Sequence, residues 1–585
     1  MGGQTVSTNG LHVAGRTRTL DLAVADRHRI GSSYARQKGT MTRAREVAAG
    51  VLRLAPHDAW NAADLTDWRA DPFGDRNWRF QRNTLRWTVP LVYAAEDGEA
   101  AAKGLWLRLV RSWAVSHSTR LADREVWGDM ATGLRAIALS VGARLVPEDE
   151  LGWFGELLEL HRTWLLDPVN LGRGNHALHQ HQGLLVVSAL LQDEAGQRTA
   201  IARMQQQFET AFDEEGANDE GSAAYHQLNI IWWSEAWDRV RAEGFDVPDV
   251  VVERMRAADD VLAHLTLPSG VLAQIGDGPV TRTREGLGPS STWVATDGAA
   301  GEQPTSTTAV LSRGYVLSRS SWRATATHLA MRFGPRPGSG HPHEDRSSLL
   351  VHSGGINWLV DSGFSSYQTN DPVVTHLRSQ VAHNVPILDG VEIDHDGDVV
   401  LSRSRTDEDV HEFVVDDERY AGHTLSRRVV HLLGPDCVLV IDRAASADGV
   451  PVKLSQLWHV APAARTRRTD RGFALVSGED RASMHWIGRH VRATRHEARE
   501  GTLQGWVYPR WKTPVPSTLI RASARGADPV VALLFARSAP QELGVVEAYA
   551  ATSGTVTLTV MRGPRVWRVV VGDKVTVTNV ERDWQ

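Results

Sequence analysis

From about residue 45 to about residue 265 apolar residues recur every three or four positions, the spacing that lines one face of an α-helix. Gly104–Trp113 (GLWLRLVRSW), Gly152–Leu166 and Leu184–Leu191 carry the pattern most clearly, and Gly, Pro or Asp breaks such as Asp167-Pro168 punctuate it. It predicts roughly eight to eleven helices with short connections, so that consecutive helices are antiparallel neighbours. From about residue 305 the texture changes to short alternating or β-branched runs: Thr327–Phe333, Ser348–Val351, Val429–Leu433, Val530–Phe535 and Thr555–Val560. Turn signals such as Ser353-Gly354-Gly355 separate these strand-like runs. Helices followed by strands predict an α+β chain with two segregated domains. The expected layout is a flexible leader over 1–45, a helical domain over 46–285, a Gly/Ser/Thr/Pro linker over 286–306 and an antiparallel β domain over 307–585. A smaller terminal β subdomain is expected from about residue 515.

Composition narrows this picture without redirecting it. A chain of 585 residues is too long for one hydrophobic core, and 42% hydrophobic with 23% charged residues is the make-up of a soluble globular protein. The leader lacks the apolar segment of a secretory signal, which predicts a cytoplasmic location. The single cysteine excludes an internal disulfide, and its place in the run Cys437-Val-Leu-Val-Ile predicts a buried, inert thiol. A net charge of −6 argues against nucleic acid or an anionic membrane surface as partner, so an anionic substrate has to be gripped by local arginines. Tryptophan is abundant (21, against 11 Phe and 8 Tyr). Indole faces stack on sugars but also fill cores, so the count only tilts the reading towards carbohydrate.

Three constellations can carry chemistry. Gly172-Arg-Gly-Asn175-His176 precedes an apolar helix, with Asn175 as a natural N-cap. The free N–H groups and positive dipole end there favour a carboxylate; a plain cap with solvent-facing histidines is the alternative. Asn218-Asp-Glu220 leads to Tyr225, with Asn218 or Asp219 expected to cap the helix. Tyr225 reads either as amphipathic packing or as a general acid or base, the latter needing positive neighbours to lower its pKa. The third, Gly338-Ser-Gly-His341-Pro-His343-Glu-Asp345, sets two histidines at i and i+2, which point the same way on extended backbone. The strand pair that follows turns at Ser353–Gly355 and returns to Asp361, and His383-Asn384 comes after Arg378. His343, Asp361 and His383 make a two-imidazole, one-carboxylate set of the kind zinc takes.

Taken in order, these segments resemble the heparinase II/III-like polysaccharide lyases. The resemblance is carried by Asn77-Trp78 to Asn83 with Leu91-Val-Tyr93, by Trp127-Gly-Asp129 to Thr132 with Arg135, by Gly174-Asn175-His176 and by Asp219-Glu220 to Tyr225. In the strand half it is carried by His341-Pro-His343-Glu-Asp345, Leu359-Val-Asp361-Ser-Gly363 and Ala382-His383-Asn384 to Gly390. It covers about residues 60–400. Thr84, where similar sequences often carry Arg, and Pro342 depart from it.

The resemblance implies an N-terminal incomplete (α/α) toroid followed by a C-terminal antiparallel β-sandwich. It also implies cleavage of a uronic-acid polysaccharide by β-elimination. That reaction needs a neutralised carboxylate, a base for the C5 proton and an acid for the departing O4. Asn175 and His176 suit the first task, Tyr225 the acid (or both steps on one face of the sugar), and His341 the base on the opposite face. Asn83, Arg135 and Arg378 are candidates for gripping flanking acidic sugars. One divalent metal, expected to be a structural zinc on His343, Asp361 and His383, would fix the loop that bears His341. Two other readings stay open: a non-catalytic carbohydrate-binding or polysaccharide-assembly protein of the same fold, and a metal-dependent hydrolase using His341 and His343 as ligands.

Overall fold

The computed structural model describes residues 19–336, 341, 343–488, 490–537, 543–550 and 555–580. Gly338 to Gly340, Pro342 and the first 18 residues of the expected leader lie outside them. The chain divides into two compact units, one of Met1–Ala211 with Ile231–Val252 and one of Phe212–Ile230 with Glu253–Gln585.

The first unit is helical. The apolar stretches read from the sequence fall in the helices Ala100–His117, Leu151–Leu166 and Asn175–Leu190. Two helices, Asp129–Gly142 and Asn175–Leu190, are buried along almost their whole lengths. They meet backbone to backbone because glycines face each other: a Cβ on Gly133 would stand 2.2 Å from the His179 carbonyl oxygen, and one on Gly183 2.7 Å from Gly133 Cα. The expected leader is not featureless from residue 19 onward. It carries the 3-10 helix Leu22–His28 and the start of the helix Thr40–Ala48, with His28 and Tyr34 buried. Among the described residues no helix is long and apolar enough to cross a membrane.

Among its described residues, the second unit holds antiparallel sheets of eight and nine strands. One core packs the nine-stranded sheet (Val316, Leu329, Trp358, Trp458, Ile520) against the eight-stranded sheet (Phe413, Val429, Val440, Leu534). The strand Cys437–Ser446 shows why the sequence there is a continuous apolar run. Val438 and Val440 point into that core, while Cys437, Leu439 and Ile441 enter a second core against the four-stranded sheet of 543–580. Each such side chain, covered on one face or the other, contributes about 1.5–3 kcal/mol. Burial pushes the Cys437 thiol up to about 12, as expected of an inert thiol.

Two expected boundaries move. The strands Thr518–Arg525 and Val530–Arg537 belong to the two large sheets, and the separate terminal sheet begins at Leu543. The expected linker contains the helix Pro289–Ala295, whose Ser290 and Ser291 N–H groups donate to the Asp259 carboxylate (2.7 and 3.1 Å). Proline at its first position and that carboxylate at its N-terminus turn a linker-like composition into a docked helix.

Candidate active site

The second unit gathers Tyr225, His341, His343, Asp361, Arg378 and His383 around a carboxylate that sequence reasoning missed, Asp277. Its loop lies between Leu272 and Arg282, positions held by isolated β-bridges. Glycines flank it with φ of +65° (Gly276) and +145° (Gly278), and a Cβ on Gly276 would stand 2.6 Å from the Gly221 carbonyl oxygen. Only glycine lets the loop approach the start of the Tyr225 helix this closely. Ser222 completes the junction: its hydroxyl donates to the Asp277 carbonyl (2.6 Å) and accepts the Tyr225 N–H (3.2 Å). Ser222 therefore caps the helix Ala223–Ala242, rather than Asn218 or Asp219, and Asn218 instead accepts the Glu220 N–H (3.0 Å).

Asp277 is almost wholly buried. His341 Nδ1 lies 2.9 Å from its Oδ2, His343 Nε2 lies 2.8 Å from its Oδ1, and Arg378 Nη2 donates to Oδ2 at 2.9 Å. Burial alone would raise this carboxyl, but the two histidine hydrogen bonds and the Arg378 charge outweigh it and hold it well below the usual carboxylate range. The His341 ring stacks on Tyr225, centroids 4.0 Å apart and planes at 27°, with its Nε2 3.8 Å from Glu220 Oε2. The Tyr225 hydroxyl meets that of Tyr367 at 2.5 Å. Phe364, Tyr367 and Trp511 form an aromatic group with centroids 4.8–5.8 Å apart. Burial, then Tyr367, then the Glu220 and Asp277 carboxylates raise the Tyr225 phenol far above its ordinary value. This reverses the expected lowering, because the hydroxyl is buried and its carboxylate neighbours add to the effect. A phenol in that setting keeps its proton.

On the other side of Asp277 the candidate metal ligands converge. One ligand atom each from His343, Asp361 and His383 lies within 4.8 Å of the others, and all three residues are buried. His383 Nδ1 is 2.6 Å from Asp361 Oδ2, and the Gly363 N–H donates to Asp361 Oδ1 (2.9 Å). A carboxylate only accepts, so the His343 nitrogen that faces Asp277, Nε2, carries a proton. His343 Nδ1 and His383 Nε2 are two buried nitrogens without a hydrogen-bond partner among the described residues. The buried set of His343, Asp361 and His383, with His343 Nδ1 left without a partner, fits a zinc-type cation. The sandwich holds the loops that carry them. Arg427 pairs bidentately with Asp442 (2.9 and 2.8 Å) and donates to the Ser347 and Asn384 carbonyls (2.8 and 2.6 Å). The Asn384 amide donates to the Leu349 and Val360 carbonyls (both 3.0 Å).

The remaining expected site residues belong to the helical unit. Asn175 opens the helix Asn175–Leu190, but the N-cap is Gly174, at φ 52°. His176 is exposed, with Nδ1 3.0 Å from Asp129 Oδ1, whereas His179 and His181 are buried.

Asn83 and Arg135 are corrected from sugar contacts to core residues. Asn83 donates to the Arg79 carbonyl (3.0 Å) and accepts the Trp113 indole N–H (3.2 Å). Arg135 is fully buried between the Trp113 and Trp127 rings, 4.0 and 4.9 Å from their centroids. Its guanidinium donates to His161 Nε2 and to the Asn83 and Val126 carbonyls. Arg135→Lys is accordingly expected to cost about 1–3 kcal/mol of stability by stranding those acceptors. It should leave KM unchanged in a folded variant; thermal melts and steady-state kinetics together check this.

The same architecture is found elsewhere. The description "Heparinase II/III N-terminus" matches residues 27–289 and "Heparinase II/III-like, C-terminal" matches residues 302–542. The chain belongs to the heparinase II/III-like family. Among curated proteins it is similar to a heparin-sulfate lyase of Bacteroides stercoris, 21% identical over 385 residues. That match spans 57% of this chain and 57% of that protein, a little over half the relative's length. Among solved structures it is similar to a mutant heparan sulfate lyase from Pedobacter heparinus, with TM-score 0.72, 17% identity, and 96% of this chain and 94% of that one covered. It is also similar to the Streptomyces coelicolor A3 chondroitin AC lyase solved with chondroitin sulphate, with TM-score 0.57, 13% identity and coverages of 96% and 92%. These likenesses show the fold: an incomplete (α/α) toroid followed by an antiparallel β-sandwich.

Proposed function

We propose that this member of the heparinase II/III-like family is a polysaccharide lyase that cleaves a uronic-acid-containing glycosaminoglycan or related acidic polysaccharide by β-elimination. The observation that carries the reading is the pairing of a proton-holding phenol, Tyr225, with a stacked imidazole, His341, whose Nδ1 is hydrogen-bonded to Asp277. Because Asp277 accepts from Nδ1, the lone pair of His341 sits on Nε2, where it can take the C5 proton of a uronate. Tyr225 then delivers its proton to the departing O4, the C4–O4 bond breaks, and a double bond forms between C4 and C5. Asn175 and His176 are proposed as the groups that neutralise the uronate carboxylate, on the strength of their place in the first turn of a helix with its positive dipole end. Arg378 is the one proposed arginine that remains partly exposed beside the cluster, with a side chain 25% accessible.

A zinc-type cation held by His343, Asp361 and His383 would cross-link the loops that carry them, and this role is structural. The proposed partners are acidic polysaccharides such as those named for the relatives. A panel of uronic-acid polymers (heparan sulfate, hyaluronan, chondroitin, alginate, glucuronan), assayed by the ultraviolet absorbance of the unsaturated uronate, tests the proposal. Absorbance growing on at least one polymer is expected. A flat response over the whole panel, with folded, zinc-loaded protein, sinks it and favours the non-catalytic binding reading.

A further inference from the structure

We infer that Asp277 is a positioning residue whose single carboxylate sets the tautomers of both His341 and His343, and so ties the proposed base to the proposed metal ligand. The inference deepens the lyase reading and rests on the roles proposed there for the two histidines. Its warrant is geometric. One buried carboxylate faces both rings, Oδ2 towards His341 Nδ1 and Oδ1 towards His343 Nε2, at 2.9 and 2.8 Å. An ionised carboxylate has no proton to give, so each of those nitrogens must carry one. The lone pairs are thereby sent away from Asp277: that of His341 sits on Nε2, on the Glu220 side, and that of His343 on the buried, unpartnered Nδ1. Arg378 Nη2, bonded to Oδ2, and the glycine-flanked loop hold the carboxylate in this double contact. Side chains 1% exposed on both Asp277 and His343 leave no room for water to replace the bond between them.

An amide in the same place cannot do both tasks. It offers one acceptor oxygen, and its NH2 must face the other ring, which then has to shift its proton. The test compares wild type with Asp277→Asn for zinc affinity, melting temperature and, on a polymer that wild type cleaves, kcat and KM separately. With the NH2 facing His343, the Nδ1 lone pair is lost and zinc affinity falls about 10–100-fold. With the NH2 facing His341, Nε2 becomes protonated and kcat falls by about 10²–10⁴-fold while KM stays near wild type. A folded variant with wild-type zinc affinity and wild-type kcat overturns the inference, as does a wild type that binds no zinc.

If wild type cleaves no uronate polymer, the lyase reading fails separately, and an unchanged zinc affinity in the variant then overturns the Asp277 role as well. Should Asp277→Asn not fold, Asp277→Glu carries the test. It keeps the charge but moves the oxygens by one methylene, so zinc affinity or kcat must fall, and wild-type values for both overturn the inference.

Discussion

Replacing Tyr225 by Phe is expected to lower kcat by about 10²–10⁴-fold, the usual worth of a positioned general acid. KM and melting temperature should stay close to wild type. The substitution removes one hydroxyl and its 2.5 Å contact with Tyr367, but keeps the ring that stacks on His341 and the backbone N–H held by Ser222. Burial and the Glu220 and Asp277 carboxylates keep that hydroxyl protonated, so its loss removes a proton donor rather than a charge. Steady-state kinetics by product absorbance and a thermal melt check both halves. A variant with wild-type kcat would return Tyr225 to the packing role that its sequence position equally allows.

Stripping the metal site with a chelator should lower thermal stability and activity together, and zinc should restore both. A cation that binds only the folded chain and is present at about 1,000 times its Kd stabilises by about 4 kcal/mol, so a clear fall in melting temperature is expected. The ligands explain the scale: His343 brings a buried nitrogen that has no protein hydrogen-bond partner among the described residues, and removing the cation leaves it uncompensated beside the buried Asp361 and His383. Activity follows because the His341 loop also carries His343, and both rings hang on Asp277. Loss of activity with an unchanged melt would contradict the structural role and place the metal on the substrate. His343→Ala, which deletes one ligand, should reproduce the chelated state and resist rescue by zinc.

Much of the fold is legible in the sequence because burial leaves a period. The run Gly104–Trp113 lies within a helix, Val429–Leu433 and Thr555–Val560 each overlap a strand to within one residue, and the unbroken apolar run at Cys437 marks a strand covered on both faces. What misled was composition. The stretch 286–306 has the residues of a linker, and nothing local announces that Asp259, about 30 positions earlier, caps a helix within it. Polar residues at core positions misled in the same way. Asn83 and Arg135 match a family pattern for groups near the sugar, yet their partners, Trp113, Trp127 and His161, come from other helices.

In the site, the return of the chain at Ser353–Gly355 to Asp361 brings that carboxylate towards His343, and the geometry sets His343, Asp361 and His383 side by side. Asp277 left only a faint signal, the glycines on either side of it. Its importance lies in where its two oxygens point, which is set by the approach of its loop to Gly221 and Ser222 rather than by anything periodic. Tyr367 left none at all.

The central claim is that this chain breaks a glycosidic bond by elimination, and the most direct measurement of that is the fate of water. Digestion of a cleaved uronate polymer in oxygen-labelled water, followed by mass spectrometry of the fragments, should show no label incorporated by bond cleavage. The new non-reducing ends should each be lighter by one water than a hydrolytic end. Label built into the new ends, with no unsaturated uronate formed, would contradict the account and establish hydrolysis in its place.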